Sequence, residues 1–164
     1  TGSFILENAE ELKSSDFLKK KWGSKEAEII SVYFSDKEGK ARECFFTGEP
    51  LTVNIDYLAK SEIKNPAFGF GIYKNQGQHI CGPNTKAYEF LIDAITGKGK
   101  ACFMFEKLQL LEGEYVVSAS IYNNDINHPY DHHEKVYKFL VAPNKAEEQY
   151  GFLKPTGRWS HEKI

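Results

Sequence analysis

LTVNIDYL, residues 51–58, decides the fold. Leu51, Val53, Ile55 and Tyr57 alternate with Thr52, Asn54 and Asp56. Period-two alternation places the apolar set on one face of a half-buried β-strand and the polar set on the other. Working outward, the chain repeats this pattern in short runs separated by turn residues. AEIISVYF (27–34) precedes the Gly-containing hairpin loop DKEGK (36–40), and ECFF (43–46) leads to the turn TGEP (47–50). AFGFGIY (67–73) leads to the turn KNQGQ (74–78) and then HICGPN (79–84). KACFMFEKL (100–108) precedes LLEGE (110–114), and YVVSASIY (115–122) is followed by a polar loop at 123–134 and the strand KVYKFLV (135–141). Seven or eight strands with short turns predict an all-β, antiparallel β-sandwich. The helical pattern is confined to FILENAEELKSSDFLKK (4–20) and is interrupted by Ser14 and Ser15. Residues 1–22 therefore read as a linker or short helix arriving from an upstream domain, and 23–164 as the sandwich.

Composition narrows the function classes. The 164 residues are 41% hydrophobic and 14% aromatic, enough to bury a core. The formal net charge is -2, with both signs interspersed, which argues against nucleic acid as a partner. No apolar run approaches a membrane span, and no signal-peptide pattern opens the chain. Cys44, Cys81 and Cys102 are odd in number and widely spaced, which predicts reduced thiols in a cytoplasmic setting rather than a disulfide framework or zinc motif. The chain opens TGS without Met, which reads as a cloning remnant on an excised piece of a longer protein.

Two strands suggest a binding face. With Phe68, Phe70 and Ile72 inward, Gly69, Gly71 and Tyr73 face out. With Tyr115, Val117, Ala119 and Ile121 inward, Val116, Ser118, Ser120 and Tyr122 face out. In one sheet, these strands would make a floor of Gly and Ser edged by Tyr73 and Tyr122. Glycine inside a strand often marks close approach by a ligand or another backbone. Small residues leave room, hydroxyls offer hydrogen bonds, and tyrosine rings suit the C–H faces of sugars. His79 and Asn84 would border the strip. The alternative is that the N-terminal segment or the tail covers it.

Other chemistry finds less support. GKGKACF lacks the phosphate-loop spacing, and neither HExxH nor GxSxG occurs. No catalytic residue, metal ligand or cofactor is assigned. HPYDHHE (128–134) gathers three imidazoles and two carboxylates. Adjacent strand residues point to opposite faces, so His132 and His133 serve one ion only from an irregular loop. A metal-dependent enzyme centred there is the competing reading; a structural role for Asp131, tying backbone in a turn, is the favoured one. Trp22 and Trp159 read as anchors. The aromatic tail, 150–164, needs a surface, either its own sheet or a partner's in a strand-exchanged dimer.

The order of these pieces resembles a known family, the C-terminal domain of Wzt-type ATP-binding subunits of ABC transporters that export O-antigen polysaccharide. AEIISVYFSDKEGK, FFTGEPLTVNIDYLA, NPAFGFGIYKNQGQHICGPNT, LLEGEYVVSASIYN, YDHHEKVYKFLV and GFLKPTGRW carry the likeness, from about Gly23 to Trp159. The resemblance implies an immunoglobulin-like sandwich that is not an enzyme and binds the finished O-antigen glycan, often at its non-reducing end, coupling chain completion to export. It implies a homodimer through the C-terminal strand. An upstream nucleotide-binding domain and a transmembrane subunit would be its partners, in the cytoplasm at the inner face of the inner membrane. A dimerisation domain without glycan affinity is the second reading. The family supplies no glycan contacts here; the candidates remain Gly69, Gly71, Tyr73, His79, Asn84, Ser118, Ser120 and Tyr122.

Overall fold

The structure is a computed structural model describing residues 20–74, 77–144 and 151–162. The helical reading of 4–20 falls almost wholly outside these residues. The described residues form nine strands: β1 (Lys21–Trp22), β2 (Ala27–Ser35), β3 (Cys44–Phe46), β4 (Leu51–Lys64), β5 (Ala67–Lys74), β6 (Gln78–Cys81), β7 (Ala94–Phe105), β8 (Gly113–Tyr122) and β9 (Pro129–Ala142). No helix occurs among the described residues.

Alternation builds two sheets. One has the order β1-β9-β8-β5-β6, with β3 added parallel to β9; the other is β2-β4-β7. The remaining pairings are antiparallel. The chain crosses from β4 to β5, returns at β7 beside β4, and crosses again to β8 beside β5. β2, β4 and β7 thus take the places of immunoglobulin strands A, B and E, and β9, β8, β5 and β6 those of G, F, C and C′. Tyr115, fully buried at the start of β8, donates its hydroxyl to the Leu111 carbonyl at 2.6 Å. That is the tyrosine corner of such sandwiches. The fold is an immunoglobulin-like antiparallel sandwich without a disulfide: all three cysteines are free.

Inward residues of both sheets form the core. One cluster gathers Leu51, Val53, Phe70, Ile72, Tyr115, Val117 and Phe139; a second gathers Ile29, Ile55, Phe68, Ala119 and Ile121. Each fully buried side chain of this kind is worth about 1.5–3 kcal/mol.

Three departures from the sequence reading matter. Residues 129–134, read as loop, are the first half of β9. Their polar side chains mask the strand signal because the inward ones, Asp131 and His133, are buried with partners rather than replaced by apolar residues. Lys21 and Trp22, read as the end of the linker, pair with His133 and His132 as β1. The tail does meet its own chain. Leu111 N donates to Phe152 O at 3.0 Å and Lys154 N to Gln109 O at 2.8 Å, so residues 152–154 lie along 109–111. Beyond that, Trp159 is fully exposed and anchors nothing within the described residues.

Candidate functional site

β5 and β8 are adjacent in one sheet, which puts Gly69 opposite Ser120, Gly71 opposite Ser118 and Tyr73 opposite Val116. Their outer face forms the floor of a shallow trough of ≈ 270 Å³. Gly69, Gly71, Tyr73, His79, Asn84, Ser118, Ser120 and Tyr122 all line it, together with Gly82, Pro83, Ile126 and His132. Two other hollows differ in size and lining. One, of ≈ 160 Å³ behind Pro83–Thr85, is walled mainly by Tyr88, Phe90 and Phe103. The other is an open groove of ≈ 880 Å³ between β2 and β9, whose Arg42 is paired to Glu49 at 3.1 Å.

The small residues do not simply leave empty space. A Cβ on Gly71 would lie 2.9 Å from the Tyr73 ring, and one on Gly69 3.1 Å from Asn84 Cβ. Gly71 therefore lets Tyr73 fold down along the floor. Gly69 lets the Pro83–Thr85 segment close in, through a bridge to Asn84. Of the two explanations for strand glycines, close approach of the chain's own atoms accounts for both. Tyr73 then stacks on His79 with centroids 4.8 Å apart.

Ser118 is 4% exposed and its hydroxyl is committed. It accepts from the Lys135 amide at 2.8 Å and donates to Glu134 Oε2 at 3.2 Å. Ser120 is freer, with one long contact to Gly69 O at 3.4 Å.

The HPYDHHE stretch divides across the sheet. Asp131 and His133 point inward, 1% and 3% exposed; His132 and Glu134 point to the trough side. Each pair makes its own relay. Inside, the Tyr137 hydroxyl meets His133 Nδ1 at 2.5 Å, and His133 Nε2 meets Asp131 Oδ2 at 3.2 Å. Asp131 also accepts from Ile29 N at 2.8 Å and pairs with Lys25. Outside, the Tyr122 hydroxyl meets His132 Nδ1 at 3.2 Å, and His132 Nε2 meets Glu134 Oε2 at 2.8 Å. In both relays the imidazole links a tyrosine hydroxyl at Nδ1 to a carboxylate at Nε2. Among the described residues no group of three His, Cys, Asp or Glu side chains converges as a metal cage.

Electrostatics follow from these contacts. Burial pushes the Asp131 carboxyl up, but hydrogen bonds from His133, Lys25 and Ile29, with the His133 charge, bring it down to about 2. Burial also raises Glu134, yet hydrogen bonds from His132 and Ser118 and the His132 and Lys135 charges leave it below the usual carboxylate range. Burial, then the Glu134 charge, raises Tyr122; burial, then Asp131, pushes Tyr137 up to about 12. Both phenols thus remain donors.

Several residues of this face are missing from the strip read in the sequence: Trp22, His132, Glu134 and Lys135. Trp22 stacks on His132 at 4.2 Å and 16° and is 43% exposed. Lys135 Nζ sits 4.5 Å from the Tyr73 centroid. The HHE run is the one signal that could have placed them, had it been read as strand. Chemically, the face offers aromatic surfaces, a carboxylate, an ammonium and hydroxyls, a set suited to polyhydroxylated ligands.

A β-sandwich carrying a trough on the outer face of its G-F-C-C′ sheet is the class these observations define. The family model of the Wzt C-terminal domain matches residues 19–155, and the chain belongs to that family, a domain of an ABC-transporter subunit. A crystal structure of the C-terminal domain of Wzt shares the fold at a TM-score of 0.71 and 16% identity, covering 87% of each chain. An immunoglobulin-like protein from Pseudomonas aeruginosa aligns at a TM-score of 0.38 and 12% identity, over 74% of this chain and 100% of that one. No curated protein sequence matches the chain. Among the described residues, no helix is long and apolar enough to cross a membrane.

Proposed function

We propose that this domain is a non-catalytic carbohydrate-binding module. It recognises O-antigen polysaccharide, at its non-reducing terminal region, and so couples chain completion to ABC-transporter export at the cytoplasmic face of the inner membrane. The observation that carries the reading is the trough itself. Aromatic rings border it, Tyr73 on His79 and Tyr122 against His132, around a floor of small residues over which Tyr73 and Asn84 partly close. Tyr73 and Tyr122 border the sugar, Ser120 and Asn84 hydrogen-bond hydroxyls, and His79 backs Tyr73. Gly69, Gly71 and Ser118 act one step back, by seating Asn84, Tyr73 and Glu134. Open sites of this kind bind at about 0.1–1 mM, or about 4–5.5 kcal/mol. Pairing two domains raises avidity where two glycan ends are engaged together.

The test is calorimetric titration of the domain and of Tyr122→Ala with the export-ready polysaccharide. The variant is expected to bind about tenfold more weakly. Equal binding by the two proteins removes the trough from consideration.

One observation favours a second reading. Trp159 is fully exposed and Leu153 half-exposed on a tail held by 152–154, as for a strand that completes a partner's surface. In that reading the domain only dimerises ATPase subunits. It predicts a stable dimer without glycan affinity that becomes monomeric when residues 150–164 are removed.

A further inference from the structure

The β8–β9 ladder is irregular at the trough. Ala119 pairs with His133 and Val117 with Tyr137, so residues 134–136 face Ser118 alone. Strict alternation from inward His133 and outward Glu134 would send Lys135 into the core. The bulge prevents this. Lys135 adopts φ 51, a left-handed conformation unusual for a residue with a side chain. Ser118 holds it there through the Lys135 amide. Both neighbours therefore end on the outer face, two-thirds buried, with Lys135 Nζ 3.5 Å from Glu134 Oε1 and lying over Tyr73.

We propose that this bulge sets the specificity of the trough: Glu134 and Lys135 form an adjacent acceptor–donor pair that selects uncharged sugars presenting neighbouring hydroxyls and discriminates against uronic acids and amino sugars. The inference rests on the glycan-binding reading and names the ligand class of that same site. Glu134 Oε2 already receives His132 and Ser118, while Oε1 faces Lys135 alone among the hydrogen bonds and ion pairs of this face. Oε1 retains lone-pair capacity, and an ammonium has three N–H donors. A hydroxyl can donate to the first and accept from the second. A charged sugar cannot gain from both. A carboxylate attracted to Lys135 meets Glu134 beside it, an ammonium attracted to Glu134 meets Lys135, and each loses its hydration on entry. Strain held at Lys135 by a buried serine fits a device that fixes the pair before ligand arrives.

The experiment uses the isotope-labelled full chain and NMR titration with methyl glucosides, mannosides and galactosides, their uronates and their amino-deoxy counterparts. The amides of Ser120, Tyr122 and Lys135 are followed. The neutral series is expected to shift these amides at lower concentration than either charged series. Glu134→Gln is expected to weaken neutral binding about tenfold and move preference toward the uronates. Lys135→Met is expected to move preference toward the amino sugars. A merely structural role for either residue would lower all three series alike. Glutamine preserves the shape at 134, and the Lys135 variant leaves the Ser118–Glu134 bond untouched, so one of the two remains informative if the other unfolds. A wild-type preference for a charged series, or unaltered preference in both variants, overturns the inference and leaves the glycan reading standing. Failure of every series to shift a trough amide in the folded wild type overturns both.

Discussion

Replacing Asp131 by Asn isolates the inner relay. The carboxylate is 1% exposed and receives the Ile29 amide, His133 Nε2 and the Lys25 ammonium. Those bonds overcome burial and bring its pKa from an ordinary 3.8 to about 2. A difference of that size is worth about 2.4 kcal/mol of folding stability at neutral pH. Asn keeps the volume but turns one acceptor into a donor, facing groups that are themselves donors. It leaves His133 and Lys25 without their anion. Removing one partner from a buried network costs about 3–5 kcal/mol, and the partial exposure of Lys25 moderates this, so a loss of about 2–4 kcal/mol is expected. That is a large share of the roughly 5–15 kcal/mol of a typical domain.

The assay is urea unfolding at pH 7, followed by the fluorescence of Trp22, which leaves its stack on His132, with the midpoint falling at unchanged slope. Acid supplies the second signature. The folded pKa is depressed, so the contribution is complete above the unfolded value. It is lost as pH falls through the folded one, between about pH 5 and pH 2. The gap between wild type and variant should therefore close across that window. A loss below about 1 kcal/mol at pH 7, or a gap indifferent to acid, would refute the claim that this carboxylate is held ionised by its neighbours.

Tyr115→Phe removes the corner hydrogen bond to Leu111 O and should cost about 1–2 kcal/mol in the same urea assay, without changing glycan affinity. Gly71→Ala places a methyl 2.9 Å from the Tyr73 ring. The ring must swing off His79, and the variant should stay folded by circular dichroism while polysaccharide binding weakens several-fold in calorimetry.

The alternation of β4, β5 and β8 was legible because their apolar residues recur with period two on the core face, although Asn54 and Ser118 on the other face are also buried. Leu51, Val53 and Ile55, or Phe68, Phe70 and Ile72, announce an inward face by hydrophobicity alone. The strip of candidate residues followed from the same parity. β9 was less legible for the opposite reason. Its inward positions at 131 and 133 are ionisable, and they are tolerable in the interior because of Lys25, Ile29 and Tyr137. Lys25 and Ile29 lie about a hundred residues away in sequence. No local pattern signals a partner so distant. The bulge at Lys135 is invisible for a related reason: it depends on which serine faces it across the ladder, a property of register rather than of composition.

The twin relays show what the doubled histidine accomplishes. Consecutive residues on a strand face opposite ways, so Asp-His-His-Glu delivers one carboxylate–imidazole pair to each side of the sheet. The inner pair, capped by Tyr137, locks β9 to β2 through Ile29 and to the segment after β1 through Lys25. The outer pair, capped by Tyr122 and covered by Trp22, inherits that fixed position. An open trough that binds weakly has little interaction energy to spend on ordering its own walls, so groups held in place before ligand arrives preserve what affinity it has. The buried relay is then a positioning device for the exposed one: loosening Asp131 should blur the register that holds His132 and Glu134 over the Ser118–Ser120 floor.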